Sequence, residues 1–301
     1  MTTRDIMAGK IAAFQSIYIP YPPQLAFHER CAFLVELGRA TRGRPQKGMR
    51  VLAPSGSGKT AAAEAFIRQF EAVYPPTESF VPIIHVPLDR ATTTKKLMMS
   101  ILDAFGDSYS SHGNEKVLKA RVKLCFERFG TLLMIIDEVQ HLNFHTSATN
   151  DATDTLKRLL DDGVVPIIFM GTEDALGMFT RNIQLSSRLI EACDLSPLDW
   201  TLSDNRQLLV NYIAALDAAM VRQGIVAEPT KIIEPWAVGC LHAVTGGVIG
   251  RISRLFAIAL DIALRRDATR IEIYDLSLAV DRWAVPNGII DHNPFLKERG
   301  K

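Results

Sequence analysis

The sequence lacks long apolar runs and lacks an excess of charge of either sign. A membrane-spanning helix needs about 18 or more apolar residues, whereas the best runs here cover residues 132–136 and 164–170. Lys and Arg number 34 against 33 Asp and Glu, so the formal charge is +1 and any nucleic-acid contact must come from a local patch. The first residues also lack the apolar segment and cleavage site of a secretory signal. We therefore expect a cytoplasmic protein with no membrane partner.

Cysteine is also scarce. Its four positions are far apart and include no Cys-x-x-Cys pair. This pattern favours reduced thiols that pack in the core over disulfides or a zinc site. Apolar residues make up 48% of the 301 residues and charged residues 22%, a composition that excludes disorder and supports a sizeable core in one large domain or two.

Short apolar runs alternate with helical stretches in the middle of the chain. The predicted strands cover residues 49–53, 81–86, 131–136 and 164–170, and the predicted helices cover residues 59–72, 94–105, 115–129 and 151–161. Strands without polar alternation are typical of a parallel sheet that is buried on both faces. The expected fold class is therefore α/β, a parallel sheet flanked by helices.

The sequence on either side of this region is different. Residues 1–46 form an expected N-terminal extension, with a proline-stiffened extended segment over 17–23 and an amphipathic helix over 24–39. Residues 47–197 form the α/β domain, and from residue 198 the periodicity is almost entirely helical. Helices are predicted over residues 203–222, 235–244, 248–266 and 274–283. We assign 198–285 to a helical subdomain and 286–301 to a C-terminal tail.

The most specific motif follows the first predicted strand and opens a helix. It matches G-x-x-x-x-G-K-[ST], with alanine in the place of the first glycine, over Ala53, Pro54, Ser55, Gly56, Ser57, Gly58, Lys59 and Thr60. Glycines let the backbone curl so that its N–H groups point at phosphate oxygens, and the helix N-terminus favours the same anion. Lys59 is placed to reach the β- and γ-phosphates and Thr60 to ligate Mg²⁺. The residues from Ser55 to Thr60 are thus predicted to bind the phosphates of a nucleotide together with Mg²⁺, and the resemblance described below implies that this nucleotide is ATP.

A pair of acidic residues ends the most apolar strand. Asp137 is expected to hold Mg²⁺, and Glu138 to polarise the water that attacks the γ-phosphate. A small-molecule kinase would instead need its base beside the acceptor. The two motifs together predict nucleotide hydrolysis.

Three further residues are candidates for completing a hydrolytic site. Thr172, after the strand at 164–170, either contacts the attacking water or the γ-phosphate, or caps the next helix. Arg188 either projects into the nucleotide of a neighbouring subunit, where such a residue is worth about 10³–10⁵ in rate, or pairs with a carboxylate; Arg181 is the second candidate. After a glycine-rich turn, Arg251 or Arg254 faces the nucleotide or the solvent.

These residues resemble the AAA+ ATPases, a class of P-loop NTPases. Thr172 stands in the sensor-1 position, Arg188 in the arginine-finger position, and the helical lid starts near residue 198. Within that superfamily the chain resembles the TniB/TnsC-type transposition regulators over nearly its whole length. The segments that carry the likeness are Tyr18-Ile19-Pro20-Tyr21-Pro22, Asp137-Glu138-Val139-Gln140-His141-Leu142, Gln184-Leu185-Ser186-Ser187-Arg188 and Leu198-Asp199-Trp200. One departure is Gly250, which stands where related lids place an arginine.

The resemblance implies an ATP-bound homo-oligomer on duplex DNA. It implies rings or helical filaments that recruit a transposase, a TniQ-type targeting protein as a further partner, and disassembly by ATP hydrolysis. A site finished by a neighbour's arginine requires a head-to-tail interface, which agrees with rings or filaments.

The surface that would contact DNA has two candidates in the sequence. One is Thr93, Lys95 and Lys96, and the other is Lys119 and Arg121; each would touch phosphates without reading sequence, or would simply be a solvated helix face. Two other functions stay open: a helicase loader or secretion-associated motor that acts on a protein partner, and a monomeric phosphotransferase. The second has no use for a subunit-bridging arginine.

Overall fold

The computed structural model describes residues 2–142 and 152–296. The chain divides into two compact units. The α/β unit consists of Pro22–Ser55 and Lys59–Leu195, and the helical unit consists of Met1–Tyr21, Gly56–Gly58 and Ser196–Lys301. Residues 1–46, expected as one extension, are divided between the two units.

The described residues form twelve α-helices, four strands and several short turns. The helices, in chain order, are α1 (Thr3–Gln15), α2 (Pro22–Ala40), α3 (Lys59–Val73), α4 (Thr94–Ala104), α5 (Glu115–Phe129), α6 (Ala152–Asp161), α7 (Leu176–Arg181), α8 (Ile183–Ser186), α9 (Ser203–Arg222), α10 (Pro235–Thr245), α11 (Ile249–Arg265) and α12 (Ile273–Ala279). The strands are β1 (Gly48–Leu52), β2 (Ile83–Pro87), β3 (Leu133–Asp137) and β4 (Ile167–Gly171). The short turns are 3₁₀ at Val139–His141, Glu173–Ala175 and Pro294–Leu296, and π at Val280–Ala284. No helix of the described ranges is long and apolar enough to cross a membrane.

The strands form one parallel sheet in the order β1-β4-β3-β2. This confirms the predicted α/β fold with helices on both faces and a helical C-terminal part. Because all strands are parallel, their carboxyl ends lie at one edge of the sheet, where Asp137 ends β3 and Gly171 ends β4. That edge is where ligands bind in sheets of this kind.

The side chains of β3, one of the two inner strands, explain why it shows no polar alternation. All five residues of β3 are buried. Met134 and Ile136 pack in the cluster that includes residues of α4, α5 and α6, whereas Leu133 and Ile135 pack in the cluster that includes residues of α2 and α3. A strand covered on both faces gains no advantage from polar residues.

An extended segment after α8 covers the open edge of β1. The N–H of Ile190 donates to the carbonyl of Gly48 (2.8 Å), that of Cys193 to Arg50 (2.9 Å) and that of Leu195 to Leu52 (3.1 Å). These bonds satisfy backbone groups that an edge strand would leave unpaired. No strand was predicted for this segment.

The helical unit is built around α11 and also contains a helix that was not predicted. Phe256 and Leu260 of α11 are fully buried, and Phe14 of α1 belongs to the same core. The signal for α1 is a capping box: the Thr2 hydroxyl accepts from the N–H of Asp5 (3.2 Å), and the Asp5 carboxylate accepts from the N–H of Thr2 (2.8 Å).

A tyrosine pair packs in the core of the same unit. The rings of Tyr21 and Tyr212 meet edge to face at 6.4 Å, and burial raises the pKa of each to about 12. Both phenols therefore stay neutral at physiological pH.

Two of the predicted elements differ from the structure. The extended segment at 17–23 is wrong at its end, because α2 begins at Pro22, where a proline suits the first turn of a helix. The helix predicted at 274–283 ends as an α-helix at Ala279 and continues as the π turn. In the predicted tail, Phe295 packs edge to face against Trp236. Residue 151 of one predicted helix and residues 297–301 of the tail lie outside the described residues.

The turn before α11 generates a stability prediction. Gly247 has φ of 74°, and a Cβ added there would lie 2.1 Å from the carbonyl oxygen of Leu198. Gly224 has a similar φ of 67°, but an added Cβ would meet open space. We expect Gly224→Ala to lower the free energy of unfolding by about 1–2 kcal/mol, and Gly247→Ala by roughly 1–3 kcal/mol more, because the backbone must also move. Thermal or urea unfolding of both variants measures the difference, and equal losses would contradict the clash.

Candidate nucleotide-binding site

The loop between β1 and α3 has the curled backbone that its sequence predicts. Gly56 and Gly58 have φ of 79° and 87°, a left-handed conformation that glycine adopts without strain. The hydroxyl of Ser57 is buried, with no hydrogen-bond partner within the described ranges. Successive N–H groups in such a loop form a concave site for an anion.

Lys59 is the first residue of α3. Its side chain is buried and its ammonium group donates to the carbonyl oxygens of Ala53 (2.9 Å) and Pro54 (3.3 Å). Burial lowers the pKa of Lys59, while the carboxylates of Glu138 and Asp137 act in the opposite direction. The backbone N–H of Ala53 donates to the carbonyl of Gly171 (3.1 Å). Ala53 does not have a positive φ and its side chain packs in the core, so alanine is accommodated in the place of the first glycine.

Asp137 and Thr60 meet at the carboxyl edge of the sheet. The Thr60 hydroxyl donates to Oδ2 of Asp137 at 2.6 Å, and the N–H of Glu138 donates to Oδ1 at 2.8 Å. Asp137 is only 2% exposed. Burial acts to raise the pKa of Asp137, but the nearby His85 and the hydrogen bonds from Thr60 and the Glu138 backbone outweigh it and hold the pKa below its usual value. The carboxylate therefore remains charged.

The oxygen atoms of this pair fit Mg²⁺. Mg²⁺ prefers hard oxygen ligands and binds through one or two carboxylates together with phosphates and water. The described parts of the chain contain no group of three or more His, Cys, Asp or Glu that would form a complete protein cage. Thr60 and Asp137 are the residues that would hold the ion. His85, whose Nε2 lies 3.6 Å from Oδ2 of Asp137, was not predicted, since an isolated histidine in a strand carries no motif.

Glu138 and Thr172 are both hydrogen-bonded to Gln140, a residue for which the sequence predicts no role. Glu138 has a left-handed backbone (φ 60°), and its carboxylate accepts from the amide nitrogen of Gln140. The amide oxygen of Gln140 accepts from the N–H of Thr172 at 3.0 Å. The hydroxyl of Thr172 donates to Asp174 (3.0 Å) and does not cap the following turn.

Arg188 is paired within its own unit. Its Nε donates to Oδ1 of Asp161 at 2.5 Å, and Lys157 lies 3.4 Å from the other oxygen of the same carboxylate. The hydrogen bond from Arg188 is the main cause that lowers the pKa of Asp161. The side chains of Arg188 and Asp161 are 36% and 27% exposed, so solvent screens the pair.

Within the helical unit, steric crowding explains why position 250 is a glycine. A Cβ added at Gly250 would lie 2.0 Å from the carbonyl oxygen of Gly56, so a side chain has no room there. The Cγ of Arg251 is 3.5 Å from a Cβ added at Gly56, whereas Arg254 is exposed. Of the two lid arginines, Arg251 is therefore the one beside the loop glycine.

The two basic clusters predicted as DNA contacts differ in their partners. Thr93 caps α4, and the exposed Lys95 and Lys96 follow it with no ion pair to any described residue. Lys119 pairs with Glu115 (2.6 Å). Arg121 pairs with Asp107 and donates to the carbonyls of residues 109 (2.9 Å) and 112 (3.1 Å). Among the described residues, Lys95 and Lys96 thus keep unpaired charges, whereas a carboxylate lies beside each of Lys119 and Arg121 and offsets its charge.

The sheet, its loop and the helical part define the class of the protein as an AAA+ fold. Similar solved structures include the ORC1 protein of Aeropyrum pernix in complex with DNA (TM-score 0.63, 18% identity, 90% of this chain and 69% of that chain). Cdc6p from Pyrobaculum aerophilum gives a TM-score of 0.65 at 12% identity, over 90% of this chain and 70% of that one. The ORC2 protein of A. pernix, solved as ADPNP and ADP complexes, gives 0.63 at 16% identity, over 89% and 71%. Identities this low show the fold alone.

The family is shown by a separate comparison. The model of the bacterial TniB protein family matches residues 15–197, which is more than half of the chain. The chain belongs to the TniB family. Among curated proteins no match is found.

The Thr60–Asp137 contact generates a prediction about metal-dependent binding. Thr60→Val removes the hydroxyl and keeps the shape, so we expect the gain in ATP affinity on adding Mg²⁺ to fall about tenfold, the equivalent of one lost charge-assisted bond. Thr60→Ser keeps the hydroxyl and is expected to stay within about twofold of wild type. Titration with a fluorescent ATP analogue, with Mg²⁺ or with a chelator, separates the two variants. An equal loss for Thr60→Val in chelator would contradict a metal role.

Proposed function

We propose that this protein is an ATP-dependent regulator of DNA transposition. In this proposal it assembles on duplex DNA with ATP bound, recruits a transposase, and is released by ATP hydrolysis. The observation that carries the proposal is the 2.6 Å hydrogen bond between Thr60 and Asp137, beside the buried ammonium of Lys59. Membership in the TniB family supports transposition as the process. A TniQ-type targeting partner and a cytoplasmic location belong to the same proposal.

The roles within one protomer follow from charge and position. Lys59 contacts the β- and γ-phosphates, and the N–H groups of the loop surround them. Thr60 and Asp137 hold Mg²⁺, which when bound neutralises part of the phosphate charge. Glu138 orients and polarises the attacking water. The ADPNP and ADP complexes of the A. pernix ORC2 structure support an adenine nucleotide as the ligand.

The arginine that completes the site comes from a neighbouring protomer. In this proposal Arg188 exchanges its carboxylate partner, Asp161, for the γ-phosphate of the next subunit. Both groups are partly exposed, and exposed ion pairs are worth about 0–1 kcal/mol, so the exchange costs little. A head-to-tail interface of this kind closes into a ring or continues as a filament. Arg251 and Thr172 are secondary contacts to the nucleotide in the same proposal.

The DNA contact is assigned to the start of α4. Lys95 and Lys96 are exposed and have no ion pair to a described residue, while Lys119 and Arg121 are engaged with acidic partners. Repetition around an oligomer multiplies a modest patch through avidity. The DNA complex of a protein with this fold, A. pernix ORC1, supports DNA as the ligand.

The assembly is tested by electron microscopy of the purified protein with random-sequence duplex DNA. We expect rings or filaments on DNA with a non-hydrolysable ATP analogue, and none without nucleotide, because nucleotide completes the interface between protomers. Protein that stays dispersed on DNA with the analogue would reject the proposed regulator and favour a helicase loader that acts on a protein partner.

The affinity for the same duplex DNA, measured at several salt concentrations, locates the DNA contact. The double variant Lys95→Glu and Lys96→Glu is expected to lose DNA binding by roughly tenfold or more at low salt, and to flatten the dependence on salt. Lys119→Glu serves as the control, since its charge is already paired, and is expected to bind nearly as wild type. The reverse order would move the contact to α5.

The shared site is tested by mixing two inactive variants. Arg188→Ala lacks the arginine and Lys59→Ala lacks the phosphate contact, so neither hydrolyses ATP alone. An equal mixture is expected to recover roughly a quarter of wild-type activity, because a quarter of random head-to-tail interfaces pair an intact Lys59 with an intact Arg188. ATP turnover measured against mixing ratio gives the result.

Asp161→Asn is the control for the internal pair. It frees Arg188 without removing it, so activity is expected to equal or exceed that of wild type. If Asp161→Asn is as inactive as Arg188→Ala and the mixture recovers nothing, Arg188 acts only through its pair with Asp161.

A further inference from the structure

Both ends of the Gln140 amide are used at the candidate site. Its nitrogen donates to Oε2 of Glu138, and its oxygen accepts from the N–H of Thr172 at 3.0 Å. A carboxylate only accepts and a backbone N–H only donates, so these two partners fix the orientation of the amide. Gln140 therefore joins the carboxylate at the end of β3 to the backbone at the end of β4.

The backbone around Gln140 is itself held in place. His141 donates to the carbonyl of Glu138 at 2.9 Å, and the N–H of Thr92 donates to the carbonyl of His141 at 2.9 Å. A Cβ added at Gly171 would lie 2.6 Å from the amide oxygen of Gln140 and 2.8 Å from Cγ2 of Val139. Glycine at the end of β4 thus leaves the space that the Gln140 side chain occupies.

Glu138 needs such an anchor because its side chain is long. The backbone N–H of Glu138 is bonded to Asp137 at 2.8 Å, but three rotatable bonds separate its Cα from its carboxylate. A general base must lie within hydrogen-bond reach of the water that it activates. A side-chain partner that holds the carboxylate in one orientation lowers the conformational entropy that is lost when the carboxylate is positioned for reaction.

We propose that Gln140 is a positioning residue that aims the carboxylate of Glu138 for ATP hydrolysis. The inference rests on the proposed function, since it assumes that Glu138 acts on the attacking water. Gln140 acts through Glu138 and does not contact the nucleotide. Its removal should lower the rate of hydrolysis and leave nucleotide binding intact.

Two substitutions test this proposal. Gln140→Ala removes both hydrogen bonds, and Gln140→Glu keeps the shape but cannot donate to the Glu138 carboxylate. We expect each to lower kcat roughly 10- to 100-fold, the effect of a misplaced catalytic group, with the affinity for a fluorescent ATP analogue within about twofold of wild type. Gln207→Ala, an exposed glutamine in α9 bonded to Asn211, is the control and should match wild type.

A double-mutant cycle separates positioning from a structural role. In the Glu138→Gln background, adding Gln140→Ala should lower single-turnover hydrolysis no further, because the group that Gln140 aims is already absent. Thermal unfolding and analogue binding are measured on every variant. A further loss in that background, weaker analogue binding by Gln140→Glu, or wild-type kcat in both Gln140 variants would each overturn the proposal.

ATP hydrolysis by the wild-type protein tests the proposed function separately from the role of Gln140. Wild-type protein that binds the analogue but hydrolyses no ATP, with or without DNA, contradicts the ATPase itself. Active wild-type protein with unaffected Gln140 variants contradicts only the role of Gln140.

Discussion

The candidate site depends on one hydrogen bond, from the Thr60 hydroxyl at the start of α3 to the Asp137 carboxylate at the end of β3. It joins two segments that are 77 residues apart in the chain. Because Asp137 is buried and charged, it needs such donors to offset the cost of desolvation. The hydrogen bonds that keep its pKa low also place a hydroxyl and a carboxylate where a hard cation would bind.

The parallel sheet is what makes this meeting possible. All strands end at the same edge, so the loop after β1, the acidic pair after β3 and the threonine after β4 converge although they are distant in sequence. The backbone bond from Ala53 to Gly171 and the two bonds of Gln140 tie these three strand ends together. The fold therefore determines which of these residues lie close enough to act together.

The sequence predicted the strands and most helices, and it selected the main residues of the candidate site, because each of these has a local signal. The glycines at 56 and 58 require a left-handed backbone, and the run before Asp137 reads as a buried strand. The contacts of Gln140 with Thr172 and of His85 with Asp137 were not predicted, since each joins residues in or after different strands. The extended segment after α8 also carries no periodic pattern, since its backbone pairs with β1 in an irregular way. Whether Arg188 pairs with a carboxylate or a phosphate cannot be read from spacing, and Asp161 is its partner here.

The segment that covers β1 has a consequence for the proposed head-to-tail assembly. The N–H of Gly48, the first residue of β1, donates to the carbonyl of Arg188 (3.0 Å), while the loop that holds Lys59 leaves the other end of the same strand. Five strand residues span roughly 16 Å. The backbone of Arg188 and the loop that precedes Lys59 therefore lie at opposite ends of β1. In the proposed head-to-tail assembly, the polarity of β1 thus sets the direction in which successive copies are added.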